Sequence, residues 1–205
     1  FRIWTQKAHT LPYWTLGTCC NTADRSYSVG DNITCFALRL RVVDGILIMQ
    51  FTARFEIMIK ILFVCHGNIC RSPMAEYVFK KLIQDQGLLD KFEVASAATS
   101  REEIGNDIYP PAKKCLTKHG VPFTKHSAKQ MTKSDLEYYD YIIAMEDYNI
   151  KNLQRMFGDA DKYSMLLDYT DTPGNISDPW YSGDFETAFK EIEMGCRGFL
   201  EKIVV

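Results

Sequence analysis

The chain has 205 residues, enough for one domain of about 150 residues and an appendage. It is 46% hydrophobic and 24% charged, as ordinary globular proteins are, and its formal net charge of −2 gives no electrostatic reason to expect nucleic acid or an anionic membrane as a partner. Seven cysteines, an odd count without a secretory signal, argue for a reducing, cytoplasmic setting over a disulfide framework, and no apolar run approaches the ~20 residues that span a bilayer.

Residues 1–57 carry few acids (Asp24, Asp31, Asp44, Glu56) and an irregular hydrophobic pattern. Val42 to Met49 is their only strand-like stretch. Cys19, Cys20 and Cys35 lack the paired spacing and histidine partners of a zinc site. The expectation is an N-terminal extension that is poorly ordered or non-essential, with a docking role as the competing reading. The folded unit is expected to span 58–205, starting at Met58.

From there the pattern alternates strand and helix. Ile59 to Val64 is nearly unbroken apolar and β-favouring, which suits a strand buried on both faces of a parallel sheet. Ser72-Pro73 and Glu76 read as helix-opening signals: a capping hydroxyl, a first-turn proline and an acid. Met74, Ala75, Val78, Phe79, Leu82 and Ile83 recur at helical spacing before Gly87. The second, third and fourth strands of a sheet are expected at Phe92–Ala97, Tyr141–Met145 and Ser164–Leu167, with Val121–Thr124 as an optional short strand outside that count. Helices are expected at Pro110–His119, from Thr132, at Asp147–Phe157 and at about Gly183–Ile203. Such alternation predicts an α/β fold: one doubly wound domain with a four-stranded parallel sheet, helices on both faces, and its ligand site at the strands' carboxyl ends.

The loop Cys65–Arg71 lies at such an end. Its successive N–H groups and those of the helix start form a concavity for a phosphate-sized anion, with Gly67 permitting the turn. Arg71 can fork onto two phosphate oxygens. The same field should make Cys65 a low-pKa nucleophile aimed at phosphorus. The bare spacing Cys-x5-Arg is weak, since Cys19–Arg25 and Cys35–Arg41 share it, but neither lies between a buried strand and a capped helix. The string Val64-Cys65-x-Gly67-Asn68-x-Cys70-Arg71-Ser72-Pro73 is highly specific.

That string, with Asp178-Pro179-Trp180-Tyr181 late in the chain, resembles the signature and acid loop of the low-molecular-weight protein tyrosine phosphatases, and the resemblance covers Met58 to the C-terminus. It implies hydrolysis of phosphotyrosine in proteins, or of small aryl phosphates, through a phosphocysteine. Cys65 is then the nucleophile, Arg71 the transition-state clamp and Asp178 the acid and base, with Asp168 and Asp171 as competitors for that last role. His66, Gly67, Asn68, Ile69, Cys70 and Arg71 would line the phosphate site, His66 as lining and not as a base. Ser72 would hydrogen-bond the thiolate, and Asn68 would hold the loop's turn. The resemblance adds Ser96 and His126 as partners of Asn68, although His126 also reads as an ordinary surface histidine. Trp180 and Tyr181 form either an aromatic wall or part of the core. Cys70 is either a redox partner of Cys65 or a small buried space-filler. Thr99–Glu103 lacks the aromatic many relatives carry there, which makes the rim more polar.

The chemistry needs no metal or cofactor, because Arg71 and the amides supply the positive charge. A monomer or weak dimer is expected. Arsenate reductase is disfavoured because Thr132–Met156 contains no relay cysteine. Protein arginine phosphatase is the nearer alternative, although those relatives tend to have threonine where Ile69 stands.

Overall fold

The computed structural model describes residues 34–43, 46–55 and 58–204, the side chains from 58 onward. The chain divides into two units, 1–57 and 58–205. In the first, β1 (Thr34–Val43) and β2 (Ile46–Phe55) pair antiparallel, from Thr34 opposite Phe55 to Val43 opposite Ile46. Asp44-Gly45 separates them in sequence, a pair that favours two-residue hairpin connections. The single strand expected over Val42–Met49 is therefore the adjoining ends of two strands. Cys35–Arg41 falls inside β1 and has no loop at all; Cys19–Arg25 lies outside the described residues.

The second unit is built on β3 (Ile59–Cys65), which alternates its side chains between two buried layers. Ile61, Phe63 and Cys65 face one layer, Leu62 and Val64 the other, all at 3% exposure or less. Being covered on both sides, the strand needs apolar residues at every position, hence the continuous run. It pairs in parallel with β4 (Phe92–Ala98) and β5 (Tyr141–Ala144), and β5 pairs in parallel with β6 (Tyr163–Met165), giving the order β4–β3–β5–β6. On one face lie α1 (Arg71–Asp85), α2 (Pro110–Lys118) and α6 (Phe185–Val204). The other face packs against α3 (Lys133–Tyr138) and α4 (Asp147–Phe157). The doubly wound four-stranded fold is thus as its sequence predicts.

Three local expectations are corrected. Val121–Thr124 forms no strand: Val121 N–H bonds back to Leu116 O at 2.9 Å, closing α2 through Gly120, whose φ of 64° suits glycine, and Phe123 packs on Tyr77. The strand expected at Ser164–Leu167 shortens to β6, because residues 166–169 turn into a 3-10 helix that meets α6. Ser72 does not cap α1. That helix starts earlier, at Arg71, with Cys70 as its flanking residue and no side-chain cap, and Glu76 lies beyond its first turn.

α6 presents the expected apolar face, including Ala188, Phe189, Ile192, Cys196, Phe199 and Leu200. Two of its glycines add something the hydrophobic pattern did not carry. A Cβ on Gly198 would sit 2.0 Å from Tyr169 O, and one on Gly195 would sit 2.6 Å from Leu166 Cγ. The helix therefore lies directly against the 166–169 backbone. Between them, residues 170–184 carry the short helix α5 (Pro179–Ser182), with Asp178 as its N-cap, accepting from Trp180 N–H at 3.0 Å.

Candidate active site

At the carboxyl end of β3 the chain turns through residues 66–70 into α1. Four carbonyls of residues 65–69 are held by donors outside the loop. Thr99 N–H takes Cys65 O at 2.8 Å, Ser100 N–H takes His66 O at 3.0 Å, and Tyr109 N–H takes Ile69 O at 2.9 Å. The carbonyl of Asn68 meets His126 Nε2 at 2.8 Å. In a trans peptide the N–H points opposite to the C=O that precedes it, and no peptide here is cis. Carbonyls drawn outward therefore leave the amides of His66, Gly67, Ile69 and Cys70 turned to the inside of a cup. Arg71 begins a 15-residue helix whose own free amides face the same way.

Asn68 holds this shape. It is fully buried, with φ of 59°, and is the one non-glycine among the described residues with positive φ. Its side chain fixes three segments. Nδ2 donates to Ser72 Oγ and Ser96 Oγ, each at 2.9 Å, and Oδ1 accepts from Lys129 N–H at 3.3 Å. Ser96 in turn donates to the buried Glu76 at 2.6 Å. One lone pair of Ser72 Oγ is engaged by Asn68, and its single proton has two acceptors in reach, Cys65 Sγ at 3.1 Å and Ala97 O at 3.4 Å. Asn68 N–H also lies 3.3 Å from that sulfur. Ser72, which does not cap α1, thus lies within hydrogen-bond reach of the thiol, the contact the resemblance implies.

Arg71 is 3% exposed. Burial opposes its charge, but the nearby Cys65, Glu146 and Asp178 outweigh that and raise its pKa above the ordinary arginine value. Its Nη2 donates to Glu146 at 2.9 Å and Asp178 at 2.7 Å, and its Nη1 to Ile176 O at 3.3 Å. Asp178 therefore reaches the cup from a loop over a hundred residues away. Asp168, a competitor for its role, is turned to its own backbone at Met165 N–H, and neither Asp168 nor Asp171 lines the cavity.

The cavity above the cup holds about 400 Å³. Cys65, His66, Gly67, Ile69, Cys70 and Arg71 form its floor. Trp180 and Tyr181 line it and are 52% and 88% exposed, so they belong to a wall and not to the core. Trp180 leans on Tyr109, ring centroids 5.2 Å apart. The ring of His66 meets Glu102 at 3.0 Å. Cys70 is buried beside Cys65, and that burial, reinforced by the Cys65 charge, pushes its thiol up to about 12. Glu102, Glu103, Glu146 and Tyr148 also line the cavity; the first two belong to the polar rim expected over Thr99–Glu103, whereas the sequence singled out neither Glu146 nor Tyr148. Glu146 and Tyr148 directly follow β5, whose carboxyl end shares an edge with that of β3, and that position was the available signal.

A doubly wound parallel sheet with an amide cup, a thiol and a guanidinium at one strand end defines a cysteine-based, phosphate-binding α/β protein. The sequence profile described as low molecular weight phosphotyrosine protein phosphatase matches residues 60–204. A human protein of that name is 42% identical over 157 residues, covering 69% of this chain and 94% of the human one. The Bacillus subtilis low molecular weight protein-tyrosine-phosphatase YfkJ is 39% identical over 150 residues, covering 71% and 96%. The crystal structure of YfkJ superposes with a TM-score of 0.70 over 72% of this chain and 95% of that one. SP-PTP from Streptococcus pyogenes does so at 0.64 with 34% identity, over 71% and 93%. The chain belongs to the low molecular weight phosphotyrosine protein phosphatase family.

Proposed function

We propose that this chain hydrolyses aryl phosphate monoesters, phosphotyrosine in proteins foremost, in two displacements at phosphorus. The sulfur of Cys65 attacks phosphorus while the P–O bond to the aryl group breaks, and Asp178 gives its proton to the departing oxygen. The loop amides and Arg71 hold the three equatorial oxygens, where transition-state charge concentrates. Asp178, now a base, takes a proton from water as that water attacks phosphorus. The P–S bond breaks, phosphate leaves, and the Ser72 hydroxyl stabilises the returning thiolate. The observation that carries this reading is the set of loop carbonyls tied outward, because it leaves a ring of amides above Cys65 Sγ. Before substrate binds, Asp178 rests on Arg71. An incoming phosphate takes over that guanidinium and frees the carboxyl to face the leaving oxygen.

Hydrolysis of p-nitrophenyl phosphate and a phenyl ester, without added metal, tests the assignment. Cys65→Ser should abolish turnover. Asp178→Ala should slow the phenyl ester by roughly 10²–10⁴-fold and the nitrophenyl ester, whose leaving group needs less protonation, by less. Full activity in Cys65→Ser ends the proposal.

On the family resemblance we also propose that peroxide inactivates the enzyme reversibly. Cys65 is oxidised to a sulfenic acid as peroxide is reduced to water. Cys70 then attacks that sulfur, loses its proton, and expels hydroxide to leave a Cys65–Cys70 disulfide. Mass spectrometry after peroxide should find this bond. A sulfinic acid on Cys65 with Cys70 untouched argues against it. The odd cysteine count of the sequence favours a reducing, cytoplasmic setting. No helix among the described residues is long and apolar enough to cross a membrane.

A further inference from the structure

The floor of the cavity is cationic, but its lip is not. Four carboxylates line it, against the single guanidinium of Arg71. Glu146 and Asp178 are paired with that guanidinium. Glu102 and Glu103 have no lysine or arginine partner among the described residues. Glu102 meets only the half-exposed His66 ring, and Glu103 accepts from Asn106 Nδ2 at 2.7 Å. The adjacent Arg101 is turned away, with its Nε on Gln130 at 2.8 Å. The two glutamates are held in place by the bonds that tie Thr99 and Ser100 to the carbonyls of Cys65 and His66. Glu103 also lies against the cup itself: its Cγ is 3.1 Å from where a Cβ on Gly67 would stand.

A tyrosine side chain that delivers its phosphate to Cys65 brings the peptide on either side of it against this lip. There a dianionic substrate meets two carboxylates that no lysine or arginine offsets, only the His66 ring standing against Glu102, and a cation beside the phosphotyrosine relieves that repulsion. We propose that Glu102 and Glu103 are specificity-determining residues that select phosphotyrosine flanked by lysine or arginine over phosphotyrosine flanked by aspartate or glutamate. The proposal rests on the phosphatase reading above. Each exposed charge pair contributes only a few-fold, so two together should give roughly tenfold in kcat/KM at low salt, carried by KM.

The test uses the full chain and two phosphotyrosine peptides of equal length, one with lysines and one with glutamates at the flanking positions. The lysine-to-glutamate ratio of kcat/KM is read within each enzyme, at about 0.02 M and about 0.5 M salt. Wild type should give a ratio of roughly ten at low salt that falls toward one at high salt. In Glu102→Gln/Glu103→Gln the ratio should be near one throughout. Glu102→Gln alone, at an exposed side chain, gives the same reading if the double variant does not fold. Equal turnover of both peptides by wild type, or a ratio unchanged in the variants, overturns the selection and leaves the phosphatase reading standing. An enzyme that hydrolyses neither the peptides nor p-nitrophenyl phosphate overturns the phosphatase reading, and this one with it.

Discussion

Asn68 joins backbone strain and chemistry in one side chain. Its positive φ disfavours most residues, and three hydrogen bonds from its amide hold it there. Asn68→Ala leaves buried partners unpaired, at about 1–3 kcal/mol, so kcat for an aryl phosphate should fall by roughly 10–100-fold and the melting temperature should drop. Asn68→Gly relieves the backbone but not the lost amide, so it should recover stability more than kcat. Arg71→Lys keeps the charge but loses the fork that meets Glu146, Asp178 and the phosphate, and kcat/KM should fall by about 10²–10³-fold. Cys65 and Arg71 were legible in the sequence because their loop carries a dense local pattern, whereas Asp178 stood out only through the resemblance of residues 178–181 to an acid loop. Glu146 was not legible, since it reaches Arg71 only through the pairing of β5 with β3. Ser72 carried two expectations, a helix cap and a contact to the sulfur; the cap fails because α1 starts at Arg71, and the hydroxyl lies 3.1 Å from Cys65 Sγ.

Long periodic elements such as α6 and the apolar run of β3 were readable because burial imposes their spacing. Val121–Thr124 was not, because its β-favouring residues find no partner strand and the chain closes α2 instead. The close approach of α6 to residues 166–169 was equally hidden, since two glycines in a helix do not say what they touch. Gly198→Ala should destabilise by about 1–3 kcal/mol or more, read as a lower thermal midpoint, because backbone must move to admit the methyl. The segment 126–131 is anchored from its other side by Asp107. The Lys113 ammonium, then the amides of Ile108 and His126, hold that carboxyl down at about 2. A carboxyl lowered on folding contributes its full stabilisation above its unfolded value near 3.9 and loses it as pH falls toward 2. Thermal midpoints should therefore decline between about pH 4 and 2, and Asp107→Asn should flatten that decline.

At the scale of the molecule the site is a meeting of distant parts. The cup belongs to residues 65–72, its supports to 96–100 and 126–130, and its acid to 178. None of these comes from residues 1–57, and we propose that a chain beginning at Met58 keeps kcat/KM for p-nitrophenyl phosphate within about twofold; a loss beyond tenfold would give the N-terminal unit a role in catalysis. Arg71 and Asp178 are separated by 107 positions, and this has a consequence for synthesis. Before the ribosome has passed residue 178, Cys65 has already emerged but the Arg71 guanidinium has no Asp178 to meet. The pairing of Arg71 with Asp178 is therefore a late event in the making of the site, possible only after residue 178 has been added and folded back beside β3.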